Sequence, residues 1–147
     1  MKFQKISSQS GLIVVIIAAV FVGTLVAMFA RSPEEIRVFS ADGHAMVEGQ
    51  GQAVTLVEVF DLGKTSSHSK IVSSVYEIAI TGPQPERLFL TIKLEEGNGS
   101  DDVVIMGFDQ IKTDWVAVPS VIDLANNKIN AEISRLPYQK FALGTSL

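Results

Sequence analysis

Two histidines, His44 and His68, are the side chains whose chemistry would be easiest to recognise from their spacing. Both lie in polar, turn-rich segments, and neither has the second histidine four residues away that a zinc-binding helix requires. Ser67 directly precedes His68, but a catalytic serine and histidine are brought together by the fold and not by adjacency in sequence. There is no cysteine, which excludes disulfides, thiol catalysis and thiolate metal sites. We therefore predict no catalytic residue, no cofactor and no metal site.

One acidic, turn-rich segment leaves calcium open as an alternative. Its oxygen-bearing side chains are Glu95, Glu96, Asn98, Ser100, Asp101 and Asp102. Such oxygens suit calcium, but the spacing of an EF-hand loop is absent, and an acidic hairpin tip is more often simply solvated. Asn98-Gly99-Ser100 also fits a glycosylation acceptor, which matters only in a eukaryotic secretory pathway.

The overall charge argues against nucleic acid as a partner. The formal net charge is -4 and the isoelectric point is about 5.1, whereas phosphate binding needs clustered lysines and arginines. Hydrophobic residues make up 47% of the chain and the mean hydropathy is +0.31, which is high for a soluble domain. Most of this excess lies in one segment near the N-terminus.

Residues 11–30 form a continuous run of uncharged, mostly apolar residues. A helix of this length, rising about 1.5 Å per residue, spans the roughly 30 Å hydrocarbon core of a bilayer. Lys2 and Lys5 precede the run and Arg31 follows it, a balance that favours a cytoplasmic N-terminus. We predict a cytoplasmic tail over 1–10, then a single transmembrane helix in contact with membrane lipid, and a periplasmic or extracellular domain after it.

Two other interpretations of this run remain open. A cleavable signal peptide has a shorter apolar region, about 7–15 residues, and small residues before the cut; here Met28 occupies the position two residues before Ala30. A pilin-like leader would end at Gly11, but pilins of that class usually carry a glutamate five residues after the cut, where this sequence has Ile16. Both departures favour an anchor that is not cleaved.

Three small residues, Ala19, Gly23 and Ala27, are spaced four apart within the predicted transmembrane helix. This spacing places them on one helix face, where a second helix can approach closely. The pattern is weakly specific, so association through this face and chance occurrence both remain open.

Beyond the apolar run, apolar and polar residues alternate with the period of two that is typical of half-buried strands. The strands predicted in this way are 76–81, 88–95, 103–109 and 128–134. The run 53–60 is rich in β-branched residues and makes a further strand, and one or two short strands are expected around 36–39 and 44–48. Turn residues separate them, including Gly82-Pro83 and Asn126-Asn127, because proline cannot continue a strand and asparagine tolerates the left-handed region. No amphipathic helix is predicted after residue 37.

Short strands with one apolar face must bury that face against a second layer. We therefore predict a mostly β fold, with a β-sandwich of about seven to nine short strands over 53–147 and a linker with the first short strands over 31–52. The residues assigned to the core of the sandwich are Trp115, Tyr76, Leu90, Ile92, Phe108 and Phe141. Trp115 in particular is expected to pack between the two sheets.

The second half of the chain, residues 75–147, resembles a β-sandwich module of bacterial cell-surface proteins. The resemblance is carried by Tyr76-Glu77-Ile78, Gly82-Pro83, the alternating run 88–92, Asp101-Asp102, the tryptophan strand 114–120 and Phe141-Ala142-Leu143. The module is similar to the sandwich shared by netrin receptors, ankyrins and zonula occludens proteins. Where that family commonly has His-Phe-Ser before the final Phe-Ala-Leu, this chain has Leu-Pro-Tyr-Gln-Lys over 136–140. The resemblance implies binding or scaffolding, not catalysis.

These observations favour a non-catalytic, single-pass membrane protein that acts as an interaction or structural subunit, with an accessory subunit of a membrane or envelope complex as one form of it. Protein partners would be contacted through the transmembrane helix or through an exposed sheet edge. A pilin-like filament subunit is one alternative, which a mature N-terminus after Gly11 would support. A small hydrolase or metal-dependent enzyme is another, which a bound metal would support.

Overall fold

Ten strands form in the described part of the chain where apolar and polar residues alternate. The computed structural model describes residues 33–64, 70–95 and 102–145. In chain order the strands are β1 (Glu34–Phe39), β2 (Ala45–Gly51), β3 (Leu56–Lys64), β4 (Ser74–Thr81), β5 (Arg87–Lys93), β6 (Val103–Asp109), β7 (Asp114–Val118), β8 (Val121–Asp123), β9 (Lys128–Glu132) and β10 (Lys140–Thr145). A 3-10 turn, Leu124–Asn126, connects β8 to β9.

The strands build two antiparallel sheets of five strands each. The first sheet has the order β1-β2-β5-β9-β8, and the second has the order β3-β4-β10-β6-β7. Val47 lies opposite Leu90, which in turn lies opposite Ala131, and all three are buried. Such rows of apolar side chains face the other sheet, so the sheets pack as a β-sandwich. The predicted mostly β fold is confirmed, and eight of the ten strands, β3 to β10, lie within the range 53–147 that the sequence assigned to the sandwich.

The main core fills the space between the sheets. Its largest fully buried side chains are Tyr76, Phe141, Leu88, Leu90, Ile92, Ile105, Ile129, Leu143 and Val47. Four of the residues that the sequence assigned to the core, Tyr76, Leu90, Ile92 and Phe141, lie in this cluster. Burial of one such side chain contributes about 1.5–3 kcal/mol, so the core accounts for the packing of the two sheets.

The first two strands belong to the first sheet. The sequence placed them in a linker region, 31–52, ahead of the sandwich, whereas β2 pairs with β5 over six residues and β1 pairs with β2 over another six. Residues 33–147 form one compact unit. The glycines of this segment look like turn residues in the sequence, but Gly49 and Gly51 lie inside β2, where an added Cβ would collide with the Arg87 carbonyl and with Ile36.

Two of the predicted turns, at Gly82-Pro83 and at Asn126-Asn127, lie where the sequence predicted them. Asn127 adopts a left-handed conformation with φ 55° and follows the 3-10 turn, and Gly82 has φ 97° directly after β4. The run that begins at Asp114 divides at Pro119-Ser120 into β7 of the second sheet and β8 of the first. Proline lacks the N–H that a continuing strand would need, which explains why the chain changes sheets there.

The predicted transmembrane helix over 11–30, with Ala19, Gly23 and Ala27, lies outside the described residues. Within the described ranges, no helix combines the length and the apolar character needed to cross a bilayer.

Candidate functional site

His44 and the residues around it form a hydrogen-bonded network at the turn between β1 and β2. The Asp42 carboxylate is its centre: it accepts hydrogen bonds from the Ser40 hydroxyl, from the His44 backbone N–H at 3.0 Å and from the Tyr76 hydroxyl at 2.9 Å. The ring Nδ1 of His44 lies 3.2 Å from the same carboxylate. Ser40 also accepts a hydrogen bond from the Ala45 N–H at 2.9 Å.

This network joins the two sheets and does not have the arrangement of a catalytic triad. In a triad the histidine contacts the serine and the aspartate orients the histidine, whereas here Ser40 and His44 both contact Asp42. Tyr76 is on β4 of the second sheet and is 2% exposed, while Asp42 precedes β2 of the first. The hydrogen bond between them therefore fixes the β1–β2 turn onto the opposite sheet.

The network changes the pKa of both of its acidic groups. Burial alone would raise the pKa of the Asp42 carboxyl, but the hydrogen bonds donated by Ser40, His44 and Tyr76 outweigh it and lower this pKa from 3.8 to about 2. Burial, together with the neighbouring Asp42 carboxylate, raises the pKa of the Tyr76 phenol. Tyr76 therefore remains a hydrogen-bond donor, and Asp42 an acceptor, over the physiological range of pH.

We expect the network to make stability depend on pH. Because the pKa of Asp42 is lower in the folded state, its contribution is complete above the unfolded value of 3.8 and is lost as the pH falls through about 2. We expect a contribution of about 1–2 kcal/mol, because Asp42 lies at an exposed position where solvent screens its charge. Denaturant unfolding of the wild type and Asp42→Asn at several pH values measures the contribution of the Asp42 carboxylate to stability.

The free energy difference between the wild type and Asp42→Asn should shrink steadily between pH 4 and pH 2. Tyr76→Phe removes one of the hydrogen bonds to Asp42 and serves as the matched variant. The pH dependence of its free energy of unfolding should lie between those of the wild type and Asp42→Asn. A difference that stays constant over this range would show that ionisation of Asp42 does not stabilise the fold.

Within the described ranges, the other candidate ligands are not gathered into a metal site. Glu95 forms an ion pair with Lys64 at 3.3 Å, and Asp102 is exposed. The remaining residues of the calcium alternative, Glu96, Asn98, Ser100 and Asp101, lie outside the described residues, as does His68. Among residues 33–64, 70–95 and 102–145, no group of three or more histidines and acidic residues could hold a metal ion.

Trp115 and Phe108 lie on the outer face of the second sheet and not between the sheets. The two residues are opposite each other on β7 and β6, with ring centroids 5.3 Å apart. Together with Val75, Met106 and Ala142 they form a second cluster, the outer cluster. Trp115 is 9% exposed because these neighbours surround it. Strand alternation decides the side: Ile105 faces the core, so Phe108, three residues further on, faces outward.

A crevice of about 220 Å³ opens where the segment after β4 meets the segment that leads into β10. Apolar side chains line it, including Ile80, Leu88 and Phe141, together with Gln84. Sites for small ligands usually measure about 300–1,000 Å³, so the crevice is small for a ligand. We therefore assign no ligand to it.

The sheet edges differ in how well they are protected. Edge strands expose unpaired backbone groups, and native proteins commonly protect them with charges, proline or short length. β8 has three residues, β7 has five and is followed by Pro119, and β1 carries Glu34, Glu35 and Arg37. β3 is the longest edge strand, with nine residues.

Apolar side chains project outward along β3. Leu56 is 55% exposed, Phe60 is 47% exposed and Leu62 is 50% exposed. Leu56 and Phe60 lie on the outer face of the second sheet with Glu58 between them, since side chains alternate along a strand. The pairing with β4 is regular from Leu56 to Asp61, and the register shifts after Asp61. Residues 56–61, the β3 edge, are the candidate functional site.

The hydrogen bonds of β4 determine which backbone groups of β3 point toward β4 and which point away from it. The Ile78 N–H donates to the Gln139 carbonyl at 2.8 Å, on the side of β4 that faces β10. Backbone groups of successive residues in a strand point to opposite sides. The N–H and C=O groups of Glu77 and Ala79 therefore point toward β3.

The opposite partners on β3 are Phe60 for Glu77 and Glu58 for Ala79. Phe60 and Glu58 accordingly direct their backbone groups toward β4, and Val57 and Val59 direct theirs away from it. No described residue forms a backbone hydrogen bond with Val57 or Val59 on that side. The β3 edge thus presents a row of donors and acceptors that pair with nothing in the described part of the chain, between exposed apolar side chains.

The sequence indicated a sheet edge as a mode of contact but not which strand. A signal was present in Leu-Val-Glu-Val-Phe over 56–60, which is apolar on both faces except for Glu58. That pattern suits a central strand as well as an edge, and only the topology distinguishes the two.

The fold and the edge define a class of protein, a two-sheet β-sandwich with one long edge strand whose outer side pairs with no described strand. No protein-family model matches the chain, and no curated protein or solved structure matches it either. The resemblance to the module of netrin receptors, ankyrins and zonula occludens proteins stays a prediction.

Proposed function

We propose that this chain is a non-catalytic interaction or structural subunit, anchored in a membrane by residues 11–30, whose β-sandwich binds a protein partner on the non-cytoplasmic side. The observation that carries the proposal is the β3 edge, because unpaired backbone groups flanked by exposed Leu56 and Phe60 fit the contact made by an added strand. An accessory subunit of a membrane or envelope complex is one such role.

The anchor is supported by the length of the apolar run and by the lysines before it. A run of this length matches the hydrocarbon core of a bilayer, and positive charges concentrate on the cytoplasmic side. A binding role is also consistent with the network around Asp42, which uses its serine, histidine and tyrosine to join the sheets and leaves none of them arranged as a nucleophile and its base.

Membrane extraction and protease accessibility test the anchor. We expect the full-length chain with a C-terminal tag to stay with membranes at alkaline pH and the tag to be digested only from the non-cytoplasmic side. Val20→Arg places a charge near the middle of the run, at a cost of about 2.5–3.5 kcal/mol, and should release a large fraction. Val54→Arg, at an exposed position of the sandwich, is the matched control and should change nothing.

Intact-mass measurement separates the alternatives. An uncleaved chain in the membrane agrees with the proposal. A chain that begins after Gly11 and assembles into filaments would replace it with the pilin-like interpretation, and a chain released after residue 30 would show that the run is a signal peptide.

A further inference from the structure

We propose that the β3 edge binds an extended partner segment as a sixth strand of the second sheet, and that β3 selects segments of the pattern apolar–x–basic–x–apolar. This inference rests on the proposed function and specifies the chemistry of the partner. The backbone of Val57, Val59 and Asp61 supplies the hydrogen bonds, and the side chains of Leu56, Glu58 and Phe60 supply the selection.

The backbone geometry determines where the selection occurs. In an antiparallel pair, residues that exchange hydrogen bonds alternate with residues that do not, and the side chains of the second kind lie closer together. Val57 and Val59 have the free backbone groups, so they would exchange the hydrogen bonds with an antiparallel partner. Leu56, Glu58 and Phe60 would then occupy the close positions, where cross-strand side-chain contacts are strongest.

Charge and exposure at these three positions define the partner. Glu58 is exposed, lies opposite the uncharged Ala79 on β4, and forms no ion pair with a described residue. A lysine or arginine opposite Glu58 would pair with its carboxylate, and apolar residues opposite Leu56 and Phe60 would cover their exposed surfaces. The pattern apolar–x–basic–x–apolar is the same in both directions along the partner segment.

A second copy of the chain fits this edge poorly. An antiparallel β3–β3 pair that places Leu56 opposite Phe60 of the other copy also places the two Glu58 side chains directly opposite each other. Like charges at directly opposite positions are destabilising. The edge therefore favours a different segment with a central basic residue over self-association.

The test uses the full-length protein in detergent micelles and a fluorescent peptide with the central sequence Leu-Thr-Lys-Thr-Val. A second peptide carries glutamate in place of lysine. We expect the lysine peptide to bind about fivefold more tightly, as a close cross-strand charge pair allows, and we expect Glu58→Lys to reverse the preference. Glu48→Lys, on the outer face of the first sheet, is the matched control and should keep the original preference.

Amide hydrogen exchange tests the geometry directly. In the free protein the Val57 and Val59 amides should exchange much faster than those of Glu58 and Phe60, and the lysine peptide should protect them. Val59→Pro removes an outward N–H and no hydrogen bond to β4, so it should weaken binding about tenfold with unchanged far-ultraviolet circular dichroism.

Saturating peptide that leaves the Val57 and Val59 amides unprotected, or no binding at millimolar concentration, overturns this inference. Those results are independent of the membrane and protease experiments on the anchor. If the protein is correctly oriented in the membrane but its β3 edge binds no peptide, the proposal of an anchored subunit stands and this mode of contact is rejected.

Discussion

Phe141→Ala is expected to lower the free energy of unfolding by about 3–5 kcal/mol. Phe141 is on β10, the central strand of the second sheet, opposite Tyr76 on one side and Gly107 on the other. Its side chain is 1% exposed. Removing the ring forfeits its burial and leaves a cavity that both neighbouring strands would have to move to fill.

Phe108→Ala is the matched control, because it deletes the same ring from the outer cluster. Phe108 is only partly buried, and its main specific contact is the Trp115 ring. We expect a loss of about 1–2 kcal/mol from less burial and one aromatic pair. Denaturant unfolding, followed by circular dichroism, compares the two variants. Equal losses would show that the main core is not between the sheets.

Gly49→Ala is expected to destabilise the protein by about 3 kcal/mol, the upper end of the usual range for overpacking. Gly49 lies within β2, and a Cβ there would overlap the backbone carbonyl of Arg87 and crowd Leu88. A backbone carbonyl of the paired strand cannot rotate away as a side chain can. The substitution would therefore force β2 and β5 apart at this point.

Gly107→Ala provides the comparison, since the obstacle there is the Tyr138 ring. A side chain can move, so we expect a smaller loss of about 1–2 kcal/mol. The loss should largely disappear when Gly107→Ala is measured in a Tyr138→Ala background. The unfolding midpoints of the wild type, Gly107→Ala, Tyr138→Ala and the double variant measure this coupling. A Gly49→Ala loss below that of Gly107→Ala would show that β2 and β5 are not held as closely as described.

The β3 edge shows what a local sequence pattern can predict and what it cannot. The sequence predicted a strand over 53–60, and the observed strand is β3, Leu56–Lys64. Its position at the edge depends on the partner of β4, which is β10, about 60 residues further along the chain. No local pattern specifies that pairing, because it follows from packing the whole sheet.

Trp115 and Tyr76 illustrate the same limit for the core. Both are large aromatic residues in alternating strands, and the sequence assigned both to the space between the sheets. Alternation separates the two faces of a strand but does not show which face turns inward when both are apolar. The second sheet has apolar residues on both faces. Register with Phe141 turns Tyr76 inward, whereas Trp115 pairs with the outward Phe108.

The sequence by itself determined the β class, most of the strands and the turns at Gly82 and Asn127, because period-two alternation and turn chemistry are local properties. Only the tertiary structure decided that β1 and β2 join the first sheet, that Asp42 is hydrogen-bonded to Tyr76 34 residues away, and that β3 has a described strand on one side only. Each of these depends on which distant strands become neighbours, and that choice is made by the burial of the whole core and not by any one segment.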